Sequence, residues 1–480
     1  MVPPDAGDGR RMDVRWAELV RGGNAGRSAV VGGGMILHAL NTFIVVTILP
    51  SVVRDIGGLR YFAWSTVLYV VASLLGGAGC ARVLQTFGAR VSYRLALTGF
   101  ALGSVCCALA PAMPVLLAGR FVQGLAAGTL SALSFTMVRT LFPSRLWARA
   151  LSVVSVAWGV ATLLGPAVGG VFAAFGAWRA AFWTVAAGAP ALLALVEWSL
   201  PRDLARPAPP RTGMAFASLF ILAGSVLAVA AGSMSVQPGW NVLGLAVAAG
   251  GFLLFARREA GGGARLMPHG ATRPASPLCA TYAAMVLMMM GVTPEIFVPY
   301  FLQVLHGLTP LHAGYLSALM AGGWTLGSVL TSGASGGRAR AALSLGPAVL
   351  AAGLAALALL MPNAAAPGLD LLPIGLGLLA MGIGIGLTWP QLGARVFGFA
   401  LEADRELAGA SITMTVMVGN AFGAALGGTA TNLGGLIAPG GVPGAAGAAS
   451  WLFSLFMAAP LLATLAIRRL PVQIRPAAAE

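Results

Sequence analysis

The chain contains no lysine; all 29 of its basic residues are arginine. Charge of either sign is scarce, since 14 acidic residues bring the charged fraction to only 9% of 480, against roughly 25% in an ordinary soluble domain. That is too little polar surface to cover soluble cores, so water-soluble domains are excluded. Without lysine there is no phosphate loop of the GxxxxGKS type, which excludes an ATP-hydrolysing engine within the chain. No HExxH, GxSxG or CxxC arrangement is present, and acids inside apolar stretches are nearly absent. No catalytic set converges, so the chain is not expected to be an enzyme. Cysteine is rare as well. Cys80, Cys106, Cys107 and Cys279 lie in or at the ends of apolar stretches, without metal spacing or a disulfide framework. Packing is their expected role, and neither a metal nor a cofactor is implied.

What the chain does have is apolar length. Hydrophobic residues make up 58%, glycine contributes 66 residues, and the mean hydropathy is +0.86. Apolar stretches of about 20 residues recur along the chain, each long enough to span a bilayer as a helix. They fall at roughly 29–53, 63–84, 95–112, 114–138, 150–175, 179–200, 214–232, 240–256, 278–304, 311–331, 341–361, 371–394, 408–435 and 449–467. The expected fold is an all-α polytopic membrane protein with fourteen transmembrane helices; span length and the lack of short alternating segments argue against a barrel.

Arginine placement tests the count, because basic residues collect in cytoplasmic loops. With the N-terminus inside, alternate segments hold Arg10, Arg11, Arg15, Arg21 and Arg27, then Arg82, Arg90 and Arg94, then Arg139, Arg145 and Arg149. The pattern continues through Arg202, Arg206 and Arg211; Arg257, Arg258, Arg265 and Arg273; Arg338 and Arg340; Arg395 and Arg405; and Arg468, Arg469 and Arg475. Only Arg54, Arg60 and Arg179 fall on the other side, with Arg120 inside a span. Both termini are therefore expected in the cytoplasm. The pI of about 11.2 then reflects topology and contact with the lipid bilayer, and a nucleic-acid partner is unnecessary. The polar start, residues 1–28, lacks a small-residue cleavage site after a short apolar core, so no removed signal peptide is expected.

Two passages look alike at a distance. Gly165-Pro166-Ala167-Val168-Gly169-Gly170 lies in the fifth span and Gly423-Ala424-Ala425-Leu426-Gly427-Gly428 in the thirteenth. If spans seven and eight are an inserted hairpin, these occupy equivalent places in two six-helix halves, a usual build for a secondary transporter. The expected organisation is a cytoplasmic segment 1–28, a six-helix bundle 29–200 and a linker 201–277 carrying two inserted helices (about 214–232 and 240–256). A pseudo-symmetric six-helix bundle 278–467 and a cytoplasmic tail 468–480 complete it.

The first of these passages, with four others, resembles the major facilitator superfamily in its fourteen-helix drug–proton antiporter branch. Arg120-Phe121-Val122-Gln123-Gly124 matches the family's RxxQG, Gly165 to Gly170 its antiporter GPxxGG, and Gly176-Ala177-Trp178-Arg179 its G-x-W-R. Leu40 to Pro50 follows the first-helix pattern, and Pro299 to Gln303 with Ala313-Gly314 the start of the second half. The departures are as informative. Asn41 stands where the family usually has Asp, and Val185 and Ala187 replace its Asn and Pro in the sixth helix. Of the GxLaDRxGxR loop only Gly88 and Arg90 survive as a gating-loop remnant, with Ala81, Val83, Leu84, Gln85 and Thr86 in the other places. The loop latch is accordingly expected to be weaker.

An ionisable group in hydrocarbon is costly unless it is paired, protonated or hydrated, so each one is a functional candidate. Glu295, after Thr293-Pro294 where the ninth span should break, is the first candidate for proton coupling. Arg120 is the second; the resemblance makes it a fixed positive charge beside the proton path, with Glu295 the remaining acid it could influence. His38 is the third, able to titrate near neutral pH. It shares one helical face with Asn41, Thr42 and Val45. Glu197, near a helix end, reads as interfacial, and Trp64, Trp178, Trp240 and Trp451 as interface anchors. A substrate cavity needs apolar and aromatic walls with a few polar groups, for which Asn41, Thr42, Tyr69, Gln123, Trp158, Tyr282, Met289, Trp324 and Trp389 are the candidates. Met285, Met288 and Met290 neighbour Met289 and would suit a variable cargo.

The reading that follows is proton-coupled export of hydrophobic or amphipathic small molecules across a bacterial inner membrane by alternating access. The partners are the small-molecule substrate and H+. An uncoupled facilitator of the same fold is the alternative, and a transporter-like membrane sensor the distant one, disfavoured by loops of only about 20 residues.

Overall fold

The computed structural model describes residues 17–201, 204, 215–235, 237–261, 265–363 and 371–471. Arg10, Arg11, Arg15, Arg202, Arg206, Arg211 and Arg475 lie outside the described residues, with most of the expected N-terminal segment and tail and part of the linker. All regular elements among the described residues are helical. In chain order they are α1 (Ala17–Val20), α2 (Gly23–Ile56), α3 (Phe62–Ala108), α4 (Met113–Leu141), α5 (Trp147–Ala174), α6 (Trp178–Ser199), α7 (Phe216–Ser233) and α8 (Pro238–Ala260). Then come α9 (Pro277–Val292), α10 (Val298–Leu305), α11 (Pro310–Thr331), α12 (Gly336–Leu360), α13 (Leu371–Phe399), α14 (Arg405–Leu433), α15 (Gly441–Phe456) and α16 (Ala458–Arg468).

Helix starts follow local chemistry. Pro114, Pro238, Pro277 and Pro310 occupy first-turn positions, where the missing N–H costs nothing. Ser276 Oγ caps α9 by accepting from Leu278 N at 3.2 Å, and Thr309 Oγ1 caps α11 by accepting from His312 N at 3.4 Å.

Twelve helical stretches among the described residues are long and apolar enough to cross a membrane, two fewer than the fourteen expected spans. One difference lies in Leu59–Ala108, a single 50-residue stretch that holds both the second and third expected spans. Its helical path is interrupted only at Gly88, at φ 78° and ψ 172°. That conformation is strained for any residue with a Cβ, so the backbone here requires glycine. The other difference is the tenth expected span: it forms α11 but is not among the twelve. The ninth breaks near the expected place, with a 3-10 turn over Thr293–Phe297 between α9 and α10.

Packing separates centre from rim. In Pro277–Leu305, 78% of the most apolar window is inside the protein, whereas in Pro238–Ala260 the share is 22%. Leu163, Val242, Leu253 and Leu330 are among many large apolar side chains left on the outside, far more than a soluble monomer exposes. Helices α2 to α6 pack on one another, as do α9 to α16, and the groups meet where α5 lies on α11 and α3 on α14. Helices α7 and α8 pair as a hairpin, and α7 touches both groups. Trp64 Nε1 from α3 donates to Ala230 O at 3.0 Å, and Asn432 Nδ2 from α14 donates to Ser233 O at 2.6 Å.

Candidate functional site

The RxxQG residues of α4 organise one buried polar group. Arg120 and Gln123 lie one turn apart on one face, so both side chains turn inward together. Arg120 Nη1 donates to Gln123 Oε1 at 3.0 Å and its Nε to Ser65 O at 3.3 Å, while its guanidinium stacks 4.0 Å from the Tyr69 ring centroid. Gln123 Nε2 donates to Ser104 Oγ at 2.7 Å and contacts Asn41 Oδ1 at 3.4 Å; Cys107 Sγ donates weakly to Gln123 Oε1 at 3.6 Å. Tyr69 OH lies 3.0 Å from His38 Nδ1 and 3.3 Å from His38 O. The His38 ring stacks on Tyr69, with centroids 5.8 Å apart, and meets Trp158 edge-on at 5.9 Å. Thr42 Oγ1 bonds back to His38 O at 3.0 Å on its own helix. Five expected residues, His38, Asn41, Tyr69, Arg120 and Gln123, are buried together; Trp158 is 39% exposed and borders them from α5.

A second group lies on α9 to α14. Glu295 is half-buried in the 3-10 turn, and its carboxyl makes no hydrogen bond or ion pair among the described residues. Thr293 Oγ1 donates to Met289 O at 2.9 Å. Gly419, Gly423 and Gly427 recur every four residues on α14, so one bare stripe faces the turn: added Cβ atoms would fall 2.6 Å from Met289 Cβ, 2.7 Å from Thr293 Cβ and 2.9 Å from the Phe297 ring. Met285, Met288 and Met289 are buried in this packing. Tyr282 OH and Ser411 Oγ are 2.5 Å apart, and Trp324 and Trp389 meet edge-on at 6.0 Å across α11 and α13.

The glycine motif of α5 packs two ways. A Cβ at Gly165 would collide with Phe43 Cβ, and one at Gly169 would lie 2.9 Å from Ile44 O, so this face closes on α2. A Cβ at Gly170 would lie 2.5 Å from Leu311 Cα, and one at Gly314 3.0 Å from Pro166 Cβ, so the other face closes on α11. At the far end of α6, Arg90 donates to Glu197 O at 2.9 Å, to Glu197 Oε2 at 3.2 Å and to Leu200 O. Arg94 binds the same carboxylate through Nε to Oε1 at 2.6 Å and Nη2 to Oε2 at 2.9 Å. The surviving arginine of the loop thus secures the carbonyls ending α6. The Trp-Arg pair does similar work at the opposite end: Trp178 Nε1 and Arg179 Nη1 donate to Asp55 Oδ2 at 3.0 and 2.5 Å, and Arg179 Nη2 donates to Ala110 O at 3.1 Å.

Several expectations change. Arg120 is 2% exposed, and its hydrogen-bond partners do not include Glu295, the remaining acid that it could influence. Glu197 is an ion-pair partner as well as an end-of-helix residue, and Trp178, 2% exposed, is buried where an interface anchor was expected. Sequence reasoning overlooked Ser65 beside Arg120 and Ser104 beside Gln123, gave Cys107 a packing role alone, and did not single out Gln303, whose two amide atoms are buried without partners. A spacing of three between Ser104 and Cys107 was the available signal for one of those faces.

The sequence profile of the Major Facilitator Superfamily matches residues 31–427. A Mycobacterium tuberculosis protein described as a probable multidrug-efflux transporter is 35% identical over 465 residues, covering 94% of this chain and 95% of its own. Multidrug resistance protein 3 of Bacillus subtilis is 24% identical over 304 residues, 62% of this chain and 59% of that one. Among solved structures, an inward-open xylose transporter from E. coli overlays with a TM-score of 0.61 at 16% identity, covering 92% and 94% of the two chains. A peptide transporter of the POT family overlays with 0.66 at 13% identity, with the same coverage. The motif residues, the membrane-length helices and these likenesses agree: the chain belongs to the Major Facilitator Superfamily and is a multi-pass membrane transporter.

Proposed function

We propose that this transporter exports hydrophobic or amphipathic small molecules from the cytoplasm of a bacterial cell, driven by proton entry and working by alternating access. The observation that carries the coupling is Glu295: a carboxyl without a protein partner among the described residues, set in a 3-10 break on the most deeply buried membrane-length stretch. Such a group is tolerable where it can exchange its proton with a water-filled cavity. His38, hydrogen-bonded to Tyr69, is a second proton carrier, and Arg120 a fixed charge near it. The mycobacterial relative's description as a multidrug-efflux transporter supports the cargo class. Trp158, the Trp324–Trp389 pair, Tyr282 and Met289, with Asn41, Thr42, Tyr69 and Gln123, supply the apolar walls and polar points that such cargo needs.

The proposed layout has fourteen spans, counting two in Leu59–Ala108 and one in α11, with both termini cytoplasmic in the inner membrane. Residues 29–200 and 278–467 form two six-helix bundles, and α7 and α8 within 201–277 form the insert. With this orientation the tight contacts of Gly170 with Leu311 and of Gly428 with Ala63 lie on the outer side, and rocking of the bundles would open them. One observation favours an uncoupled facilitator instead: Asn41 carries no charge and Arg120 has only neutral partners.

Reconstitution separates the two. In proteoliposomes loaded with a fluorescent amphipathic dye, coupled export requires a pH gradient or membrane potential, and Glu295→Gln is expected to abolish uphill movement. Downhill movement with no response to either gradient, unchanged in Glu295→Gln, establishes the facilitator and refutes the coupling.

A further inference from the structure

Arg120 is a buried cation without a protein counter-charge. Its partners are a carbonyl oxygen (Ser65), an amide oxygen (Gln123) and a ring face (Tyr69), all neutral. Among the described residues no carboxylate pairs with it. A guanidinium stays charged at any physiological pH. Neutral dipoles orient it and partly replace water, but they leave a net charge in a medium that screens poorly.

A second observation points the same way. Asn41 and Ser65 are 0% exposed, and neither Asn41 Nδ2 nor Ser65 Oγ makes a hydrogen bond of good geometry, although the Asn41 side chain lies beside the Tyr69 hydroxyl. Ser65 contacts Arg120 through its carbonyl, and Asn41 is one side chain away through Gln123. Gln123 Oε1 already receives Arg120 and Cys107, and Asn41 Oδ1 and Ser104 Oγ each receive Gln123, so these oxygens are turned to neutral partners. What remains is an amide N–H of Asn41 and the Ser65 hydroxyl, both able to donate, beside an unbalanced positive charge. Buried donors left over in this way call for an acceptor that also carries charge.

We infer that Arg120, Asn41 and Ser65 form a subsite for one small monovalent anionic group. The group is either a halide or the carboxylate of an amphipathic substrate. A dianion is disfavoured, because one arginine would leave its second charge uncompensated in the membrane interior. Asn41 is central to this: a carboxylate at this position would serve as an internal counter-charge, whereas the amide brings an N–H donor and no charge. The inference rests on the transport reading only for where a substrate's carboxylate would sit.

The test measures binding to the full-length purified protein, so it stays readable if export itself fails. Unfolding temperature is followed in detergent at constant ionic strength while methanesulfonate is exchanged for chloride, and separately with octanoate against octanamide. A saturable upward shift of several degrees is expected. A shift with chloride identifies an inorganic ion, and a shift with octanoate but neither chloride nor octanamide identifies the substrate's own carboxylate. Arg120→Gln should abolish either shift. Should that variant not fold, Asn41→Asp keeps Arg120 and adds an internal carboxylate, and it is expected to raise the anion concentration at half-effect about tenfold or more, the counterpart of losing one good interaction. No shift with chloride or octanoate in the wild type, or a shift unchanged in Arg120→Gln, overturns the inference.

Discussion

Gly170→Ala tests whether the seam between α5 and α11 is a closed gate. The added Cβ would lie 2.5 Å from Leu311 Cα and 3.0 Å from both Leu311 N and Cδ1. Ordinary contact needs about 3.5–4 Å, so the helices must separate locally by roughly 1 Å. Two of the three obstacles are backbone atoms, which a rotamer change cannot move. Overpacking of this kind costs about 1–3 kcal/mol. If the seam opens during transport, the cost falls on the closed state alone, and the open population should rise by roughly 5- to 150-fold. A reporter cysteine at Ala313, which is 0% exposed and next to Gly314, reads that population through its rate of labelling by a membrane-impermeant maleimide. Gly159→Ala is the control, since it lies on the same helix with nothing within 4 Å of its added Cβ. Faster labelling in Gly170→Ala but not in Gly159→Ala is the expected result. Equal rates in both, with unchanged unfolding temperatures, would refute the tight seam and the gating role together.

Gly88→Ala should destabilise the protein by about 1–3 kcal/mol, because φ 78° with ψ 172° is open essentially to glycine alone; thermal unfolding and yield measure it. Arg90→Ala should cost more than Arg94→Ala, since Arg90 also satisfies the carbonyls of Glu197 and Leu200, whereas Arg94 contributes a half-exposed ion pair worth about 0–1 kcal/mol. Equal losses in thermal unfolding would show that the carboxylate, and not the end of α6, is what Arg90 serves.

Much of the fold was legible because the membrane imposes it. Backbone groups in hydrocarbon must be satisfied within a helix, so apolar length alone marks candidate spans. The break at Pro294 was legible too, since proline removes a hydrogen bond wherever it falls inside a helix. Less legible was the continuity of Leu59–Ala108: the loop between spans two and three is polar enough to read as an interruption, yet the helix runs through it apart from Gly88. The polar residues of the candidate site were found individually by their cost in hydrocarbon, but their partners were not. His38 and Tyr69 are 31 residues apart, and Arg90 and Glu197 are 107 apart. No periodicity links such pairs, because their contact depends on which helix faces which.

Composition and pattern alone settled the solvent, the helical class and the family, through the scarcity of charge, the repeated apolar lengths and the spaced glycines and arginines of the motifs. Tertiary structure alone decided the partnerships. The sequence named Glu295 as an acid that Arg120 could influence without placing the two together; packing gives Arg120 to Gln123, Ser65 and Tyr69, and leaves Glu295 in the turn facing α14. The physical reason is that a span's cost in lipid is local and adds along the chain, whereas a charge's partner is set by helix rotation and crossing, which depend on every side chain in the contact.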